Sequence, residues 1–239
     1  LKYLKYPIKI KKNKKYVLIE VKGLRQFKSF DYKVPGDISS ASFFIVLTLL
    51  SKNSTLLIKD ININQSRIGI LKILNKMNAN IKILNKRDYK GELIGDIKIK
   101  STKNFKSINC PEKLNSSAID EFLLIFLIAS KSKGISTFKN LNELNKKESP
   151  RLDMAIKFLK MIGIKVIRKN CDIKIFGNPS LELKNNYQMK NFLKDHRVFM
   201  MTVIAALTLG GKWKINDKDS IKTSFPKFLE ISIKLGAKI

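Results

Sequence analysis

Residues 154–167 read MAIKFLKMIGIKVI. Met154, Ile156, Phe158, Leu159 and Ile162 recur at the spacing of one helical face, Gly163 ends the run, and a short strand-like run follows. The stretch therefore predicts an amphipathic helix, a small-residue turn and a strand. Two other segments have the same form: GILKILNKMNANIKIL at 69–84 and FLEISIKLGAKI at 228–239, with Ala79, Ile164 and Ala237 at the three turns. Upstream of each lies a second, more apolar helix whose first turn is polar: DISSASFFIVLTLL at 37–50, AIDEFLLIFLIAS at 118–130 and DHRVFMMTVIAALTL at 195–209. Each of these is followed by a strand-like run, TLLIKDI, ISTFKNL or KWKIND. The unit is apolar helix, strand, loop, amphipathic helix, strand, and it occurs three times.

The apolar helices have no polar face, so they belong at the centre of a domain with sheets packed outside. If the three units are related by approximate threefold symmetry, these helices run parallel and their N-termini meet at one end. The residues gathered there are then Asp37, Ser39 and Ser40 from the first unit, Asp120 and Glu121 from the second, and Asp195, His196 and Arg197 from the third. The turn KESPR at 147–151 belongs to the second unit and can reach the same end. In it Ser149 suits a helix cap and Pro150 the first helical position, which puts Lys147, Glu148 and Arg151 at a helix N-terminus. Free N–H donors and partial positive charge, beside lysine and arginine, suit an anionic ligand, phosphate above all. A capped surface helix with ordinary charges is the plainer reading of KESPR alone. Capping accounts for Asp37 and Asp195, but it requires no arginine.

Composition narrows the function classes. A chain of 239 residues with 44% hydrophobic content can bury a substantial core and is globular. A net charge of +29 is the electrostatic footprint of a nucleic-acid binder. Yet the lysines are spread along the whole chain among isoleucine and asparagine, and no basic tract interleaved with aromatics, zinc-knuckle spacing or RNP-like motif accompanies them. The charge suits small polyanionic substrates equally well. The opening LKYLKYPIKIKKNKK is charged throughout and has no apolar core of a secretion signal, and it starts at Leu1 rather than methionine, as a piece of a longer protein would. The runs FLLIFLIAS and VFMMTVIAALTLGG are too short to cross a bilayer. Cys110 and Cys171 lie far apart without CxxC spacing and read as reduced thiols, so the expected location is the cytoplasm, with no disulfide framework, metal site or membrane partner.

GDISSASFF, IDEFLLIF, KESPRL, DHRVFM and TSFPKF, in this order, resemble the C-terminal part of the EPSP synthase family, the 3-phosphoshikimate 1-carboxyvinyltransferases. The resemblance covers essentially the whole chain. It implies an α/β (α+β) enolpyruvyl-transferase-like fold of repeated βαβαββ units around buried parallel helices, a pseudo-threefold domain. Residues 1–33 would be the closing hairpin of an otherwise missing N-terminal domain, and residues 34–239 the C-terminal domain of three units. The implied reaction moves the enolpyruvyl group of phosphoenolpyruvate to the 5-hydroxyl of shikimate 3-phosphate and releases phosphate. Asp120 matches the family's aspartate that contacts the shikimate hydroxyls and takes the proton of the attacking 5-OH. Glu148 matches the glutamate that protonates the methylene carbon, and Lys147 the lysine beside the reacting hydroxyl. Arg151 and Arg197 match two arginines that clamp the donor's carboxylate and phosphate, and Asp195 and His196 complete the family's Asp-His-Arg motif at the substrate site. Acid–base chemistry with electrostatic holding of a polyanion calls for no metal and no organic cofactor. The implied partners are the two substrates, with no specific nucleic acid, and the complete protein is expected to be a monomer.

This sequence departs from the family at three places. Pro150 stands where the family commonly has aspartate, Asn145 where it has arginine, and Thr223 where some members carry a phosphate-binding lysine, with Lys222 one residue off. With half of a two-sided cleft absent, the chain alone is expected to turn over negligibly. Two other readings remain: a UDP-N-acetylglucosamine enolpyruvyl transferase, which shares fold and donor, and a basic nucleic-acid-binding module, which would bind with steep salt dependence.

Overall fold

The protein is described by a computed structural model over residues 3–23, 26 and 29–239. Residues 1, 2, 24, 25, 27 and 28 of the segment expected to form a hairpin lie outside the described residues.

The three most apolar segments form α1 (Ile38–Leu50), α3 (Phe122–Ser130) and α5 (His196–Leu209), numbered in chain order, and the three pack against one another. All nine residues of α3 are buried, which is why its sequence shows no helical periodicity. Each helix feeds a strand: β3 (Thr55–Asn62), β6 (Gly134–Phe138) and β10 (Gly210–Ile215). The amphipathic segments then form α2 (Gly69–Lys76), α4 (Arg151–Met161) and α6 (Phe228–Lys234). All three leave by the same turn. Asn78, Gly163 and Gly236 take positive φ of 68°, 79° and 97°, and the next residue's N–H bonds back to Leu74, Leu159 or Ser232 at 3.0, 2.9 and 3.0 Å. A left-handed residue with a six-to-one bond is the Schellman exit, and two of the three positions are glycine because it carries no Cβ penalty there.

In the first unit β4 (Ile81–Tyr89) and β5 (Glu92–Lys100) complete an antiparallel sheet of order β3-β5-β4. The second repeats it as β6-β8-β7, with β7 (Val166–Lys169) and β8 (Asp172–Gly177). A parallel partner precedes each apolar helix: a bridge Gly36↔Ile61, bridges Lys106↔Lys133 and Asn109↔Thr137, and in the third unit the full strand β9 (Leu183–Met189) beside β10. The first two units are therefore βαβαββ. The third differs from the sequence reading, since residues 236–239 after α6 enter no sheet among the described residues. Adjacent units meet closely: a Cβ on Gly69, which opens α2, would stand 2.4 Å from Ser117 Oγ and 2.5 Å from the Ser117 carbonyl carbon. Glycine is what lets α2 press onto the 3-10 turn Ser116–Ala118.

Two helix starts differ from the sequence reading. The residue α4 uses as its N-cap is Pro150, not Ser149, whose hydroxyl is taken by Asp195; Asn145 Oδ1 instead accepts the Leu152 N–H at 2.9 Å. The second apolar helix begins at Phe122, so Asp120 and Glu121 sit in the turn before it and neither side chain caps it.

Away from this body, β1 (Ile8–Lys12) and β2 (Val17–Val21) pair as an antiparallel hairpin, with β2 exposed throughout, Val17, Ile19 and Val21 included. The strap that follows is tied to the first sheet by Tyr32 against the Tyr89 ring, at 5.5 Å between centroids, and by Lys33 to Asp60 at 3.3 Å. Among the described residues no helix is long and apolar enough to cross a membrane.

Candidate active site

The N-terminal ends of α1, α3 and α5 converge, and each is set by its own local chemistry. Asp37 accepts the Ser40 N–H at 2.9 Å and caps α1. Asp195 caps α5 by accepting the N–H groups of Arg197 at 2.9 Å and Val198 at 3.3 Å. The turn before α3 leaves the Asp120 carboxylate free to face the KESPR turn and Arg197. Three cations surround it: Lys147 Nζ at 3.3 Å, Arg151 Nη1 at 3.3 Å and Arg197 Nη2 at 3.8 Å.

Arg151 is almost wholly enclosed, with 1% of its side chain exposed, and its guanidinium meets three carboxylates. Nε donates to Asp195 Oδ2 at 2.9 Å, Nη1 to Asp120, and Nη2 to Glu148. A planar fork suits such divided service, and an arginine this deep requires it. Asp195 has no exposed side-chain surface and takes a further bond from Ser149 Oγ at 2.8 Å, so protein donors hold its carboxylate. Arg197 opens α5 and donates from Nη1 to the Asp120 carbonyl at 3.2 Å. His196 begins the same helix, half-buried. The residues open to solvent are Glu148, Lys147 and Asp120, at 57%, 30% and 25% of their side chains, with Arg197 behind them at 16%.

The electrostatics follow from this packing. Burial alone would push the Asp120 carboxyl up, but Arg197, Lys147 and Arg151 outweigh it and hold the group below its ordinary range. Asp195 behaves alike, its burial overcome by Arg151, Ser149 and the Arg197 N–H. Burial, with Arg197 next, lowers His196 below its ordinary value and favours the neutral imidazole. Glu121 goes the other way: burial raises it, against the opposing pull of Ser39 and Arg197. Burial also pushes the Cys110 thiol up to about 11, and both cysteines are free.

The structure thus brings together Asp120, Lys147, Glu148, Arg151, Asp195 and Arg197 in one bonded cluster with His196 at its edge. Lys222 does not join it, pairing on the surface with Asp219 at 3.0 Å. Sequence reasoning missed the tie from Ser149 to Asp195, the capping use of Asn145, and Arg67, which donates from Nη2 to Ser39 Oγ at 3.1 Å. Only the threefold pattern could have hinted at these, since each joins residues from different units or turns. A cavity of about 500 Å³ between α1, β3 and α6, lined by Phe44, Ile58, Phe225 and Ile231, contains none of the clustered residues. An open, charged face therefore suits a polyanion held by ion pairs, with a carboxylate at its centre to receive a hydroxyl.

Comparison with known proteins agrees with this architecture. The relative from Ruthia magnifica subsp. Calyptogena magnifica, a 3-phosphoshikimate 1-carboxyvinyltransferase, is 37% identical over the whole chain and over 53% of its own length. The one from Petrotoga mobilis, of the same name, is 36% identical over 91% of the chain and 50% of its own length. The chain therefore spans about half the length of these relatives. The solved EPSP synthase of Acinetobacter baumannii superposes with a TM-score of 0.87 at 30% identity, over 98% of this chain and 52% of that one. The enolpyruvyl transferase NikO from Streptomyces tendae, at 13% identity and a TM-score of 0.70, shares the fold. The family model of EPSP synthase (3-phosphoshikimate 1-carboxyvinyltransferase) matches residues 2–231, and the chain belongs to that family.

Proposed function

We propose that this cluster is one wall of an enolpyruvyl-transfer site that takes phosphoenolpyruvate as donor and the 5-hydroxyl of shikimate 3-phosphate as acceptor. The observation that carries the reading is Asp120, an ionised, partly open carboxylate with Lys147, Arg151 and Arg197 around it. The acceptor's hydroxyls meet Asp120, and the donor's anionic groups meet Arg197 and Lys147. When Arg197 turns onto the donor, Asp120 loses one of the cations that hold its proton affinity down and becomes a better base for the attacking hydroxyl. Arg151 reaches the donor by exchanging its Glu148 partner, and the same exchange frees Glu148 for proton transfer. Asp195 acts through Arg151 and the start of α5 rather than on substrate.

The steps balance. The 5-oxygen attacks C2 of the donor as its proton goes to Asp120, and Glu148 gives a proton to C3, forming a tetrahedral intermediate. The C2–O bond to phosphate then breaks, the phosphate leaves with the proton that Asp120 took, and a proton leaves the new methyl group to Glu148, so both carboxyls return to their starting states. The facing wall of the cleft comes, on this reading, from the half of the relatives that this chain does not span, and the β1–β2 hairpin belongs to that side. The 239-residue chain alone then turns over negligibly, because groups must close from both sides to stabilise the transition state.

Running the reaction in D₂O tests the scheme, using the chain joined to the unmatched half of a relative. Protonation at C3 from an exchangeable carboxyl puts deuterium into the product's vinyl group, and Glu148→Gln makes no product. A product free of deuterium would sink the addition–elimination route. The cytoplasm is the location in keeping with this chemistry and with two free thiols.

A further inference from the structure

Below the cluster lies a buried carboxylate that the reaction scheme leaves idle. Glu121 has 4% of its side chain exposed. Its Oε1 accepts the Ser39 hydroxyl at 2.5 Å and lies 3.9 Å from Arg197 Nη1. Ser39 Oγ in turn accepts from Arg67 Nη2 at 3.1 Å, and Arg67 is steadied by Asp37 at 3.7 Å. A guanidinium can only donate, and a hydroxyl has one hydrogen, so the Ser39 proton points at Glu121. Both guanidiniums and the hydroxyl turn their donors the same way, so the contacts of Arg67, Ser39 and Arg197 converge on the Glu121 carboxylate and cross all three units.

Stability gives no account of this arrangement. A buried ion pair is commonly matched or exceeded by apolar side chains of similar volume, and α3 is apolar at every position immediately after Glu121. What Glu121 does supply is a carboxylate, oriented by Ser39, beside Arg197 Nη1, while Asp120 Oδ2 faces Nη2 of the same guanidinium. Without the Glu121 carboxylate, Arg197 would collapse fully onto Asp120, occupying both the donor's cation and the acceptor's base.

We propose that Glu121, oriented by Ser39 and Arg67, is a positioning residue that holds the Arg197 guanidinium off Asp120 and aimed at the donor anion. The inference rests on the reading of Arg197 as a ligand of that anion. The Asp120 carbonyl also holds Arg197 Nη1, at 3.2 Å, but it is a neutral acceptor, whereas Asp195, the other buried carboxylate of the cluster, is taken up by Arg151.

The test is side-chain Nε–Hε NMR on the 239-residue chain labelled with ¹⁵N-arginine, before and during titration with phosphoenolpyruvate. In the ligand-free chain, Glu121→Gln moves the Arg197 resonance and leaves that of Arg87, in β4 and paired with Asp60 on the first sheet, in place. Ser39→Ala keeps the carboxylate but releases its orientation, and moves the Arg197 resonance in the same sense; it serves also if Glu121→Gln fails to fold. Both variants weaken phosphoenolpyruvate about tenfold, the size of one lost charged hydrogen bond. An Arg197 resonance unmoved in both variants overturns the positioning role, whatever the ligand does. If Arg197→Ala leaves phosphoenolpyruvate binding as it was, the donor reading fails, and the proposal falls with it for a separate reason.

Discussion

The middles and the N-terminal ends of α1, α3 and α5 are made of the same helices yet obey different rules. In the middles, the side chains of Ile45, Val46, Ile125, Phe126 and Ile204 are fully buried in the apolar core, so burial itself is their contribution. At the ends, Asp195, Glu121 and Ser39, together with Arg151 from the neighbouring α4, are also buried and are held by charge and hydrogen bonds. Burying charge costs far more than burying methylenes, and pairing recovers that cost without a surplus. The middles are thus explained by the fold alone, whereas the ends have the costly charges that the proposed site uses.

The largest expected effect comes from splitting a pair at the ends. Arg151→Leu strands Asp195 as a buried uncompensated charge and should cost about 3–5 kcal/mol in urea unfolding. Adding Asp195→Asn, which keeps a cap acceptor for α5 while removing the charge, should restore part of that loss. Smaller is Ser149→Ala, which takes one of the donors from Asp195 and should cost about 1.5–3 kcal/mol. Ile125→Val in the middle should cost about 0.5–1.5 kcal/mol and leave the site untouched, which separates the two regions directly.

A pH comparison sharpens the contrast further. Asp120 and Asp195 have lowered folded values, so their stabilisation is present above the ordinary 3.8 and is lost as the pH falls below it. Glu121 has a raised folded value, so its ionisation drains stability as the pH climbs from 4.5 through that value. Glu121→Gln should therefore gain on the parent chain between pH 4 and pH 7, as read from unfolding midpoints. The smallest effect belongs to the surface: Glu230→Ala breaks the exposed pair with Lys234 and should leave the midpoint unchanged.

Legibility divided along the same line. The apolar helices, the amphipathic helices and their turns could be read because burial imposes a pattern on local sequence, as in residues 154–167 and their two echoes. The strand β9 could not, since KNNYQM carries no alternation and is held by its parallel neighbour rather than by its own pattern. At the site, the gathering of Asp120, Lys147, Glu148, Arg151, Asp195 and Arg197 was foreseeable from three polar helix starts in register together with the family resemblance. Their pairings were not: Ser149 looked like a cap because it precedes a helix, and its partner Asp195 lies 46 residues away. Asn145 looked like a mere loss of arginine, yet it caps α4. Side-chain pairings of this range depend on how whole units dock, which no local window contains.

The central claim is that the charged ends serve catalysis, and phosphate release tests it most directly. The chain joined to the unmatched half of the Ruthia magnifica relative would be assayed with phosphoenolpyruvate and shikimate 3-phosphate, beside its Asp120→Asn and Ile125→Val variants. The account predicts release that needs both substrates, falls at least about 100-fold in Asp120→Asn, and persists in Ile125→Val. Release at the parent rate from Asp120→Asn would contradict it.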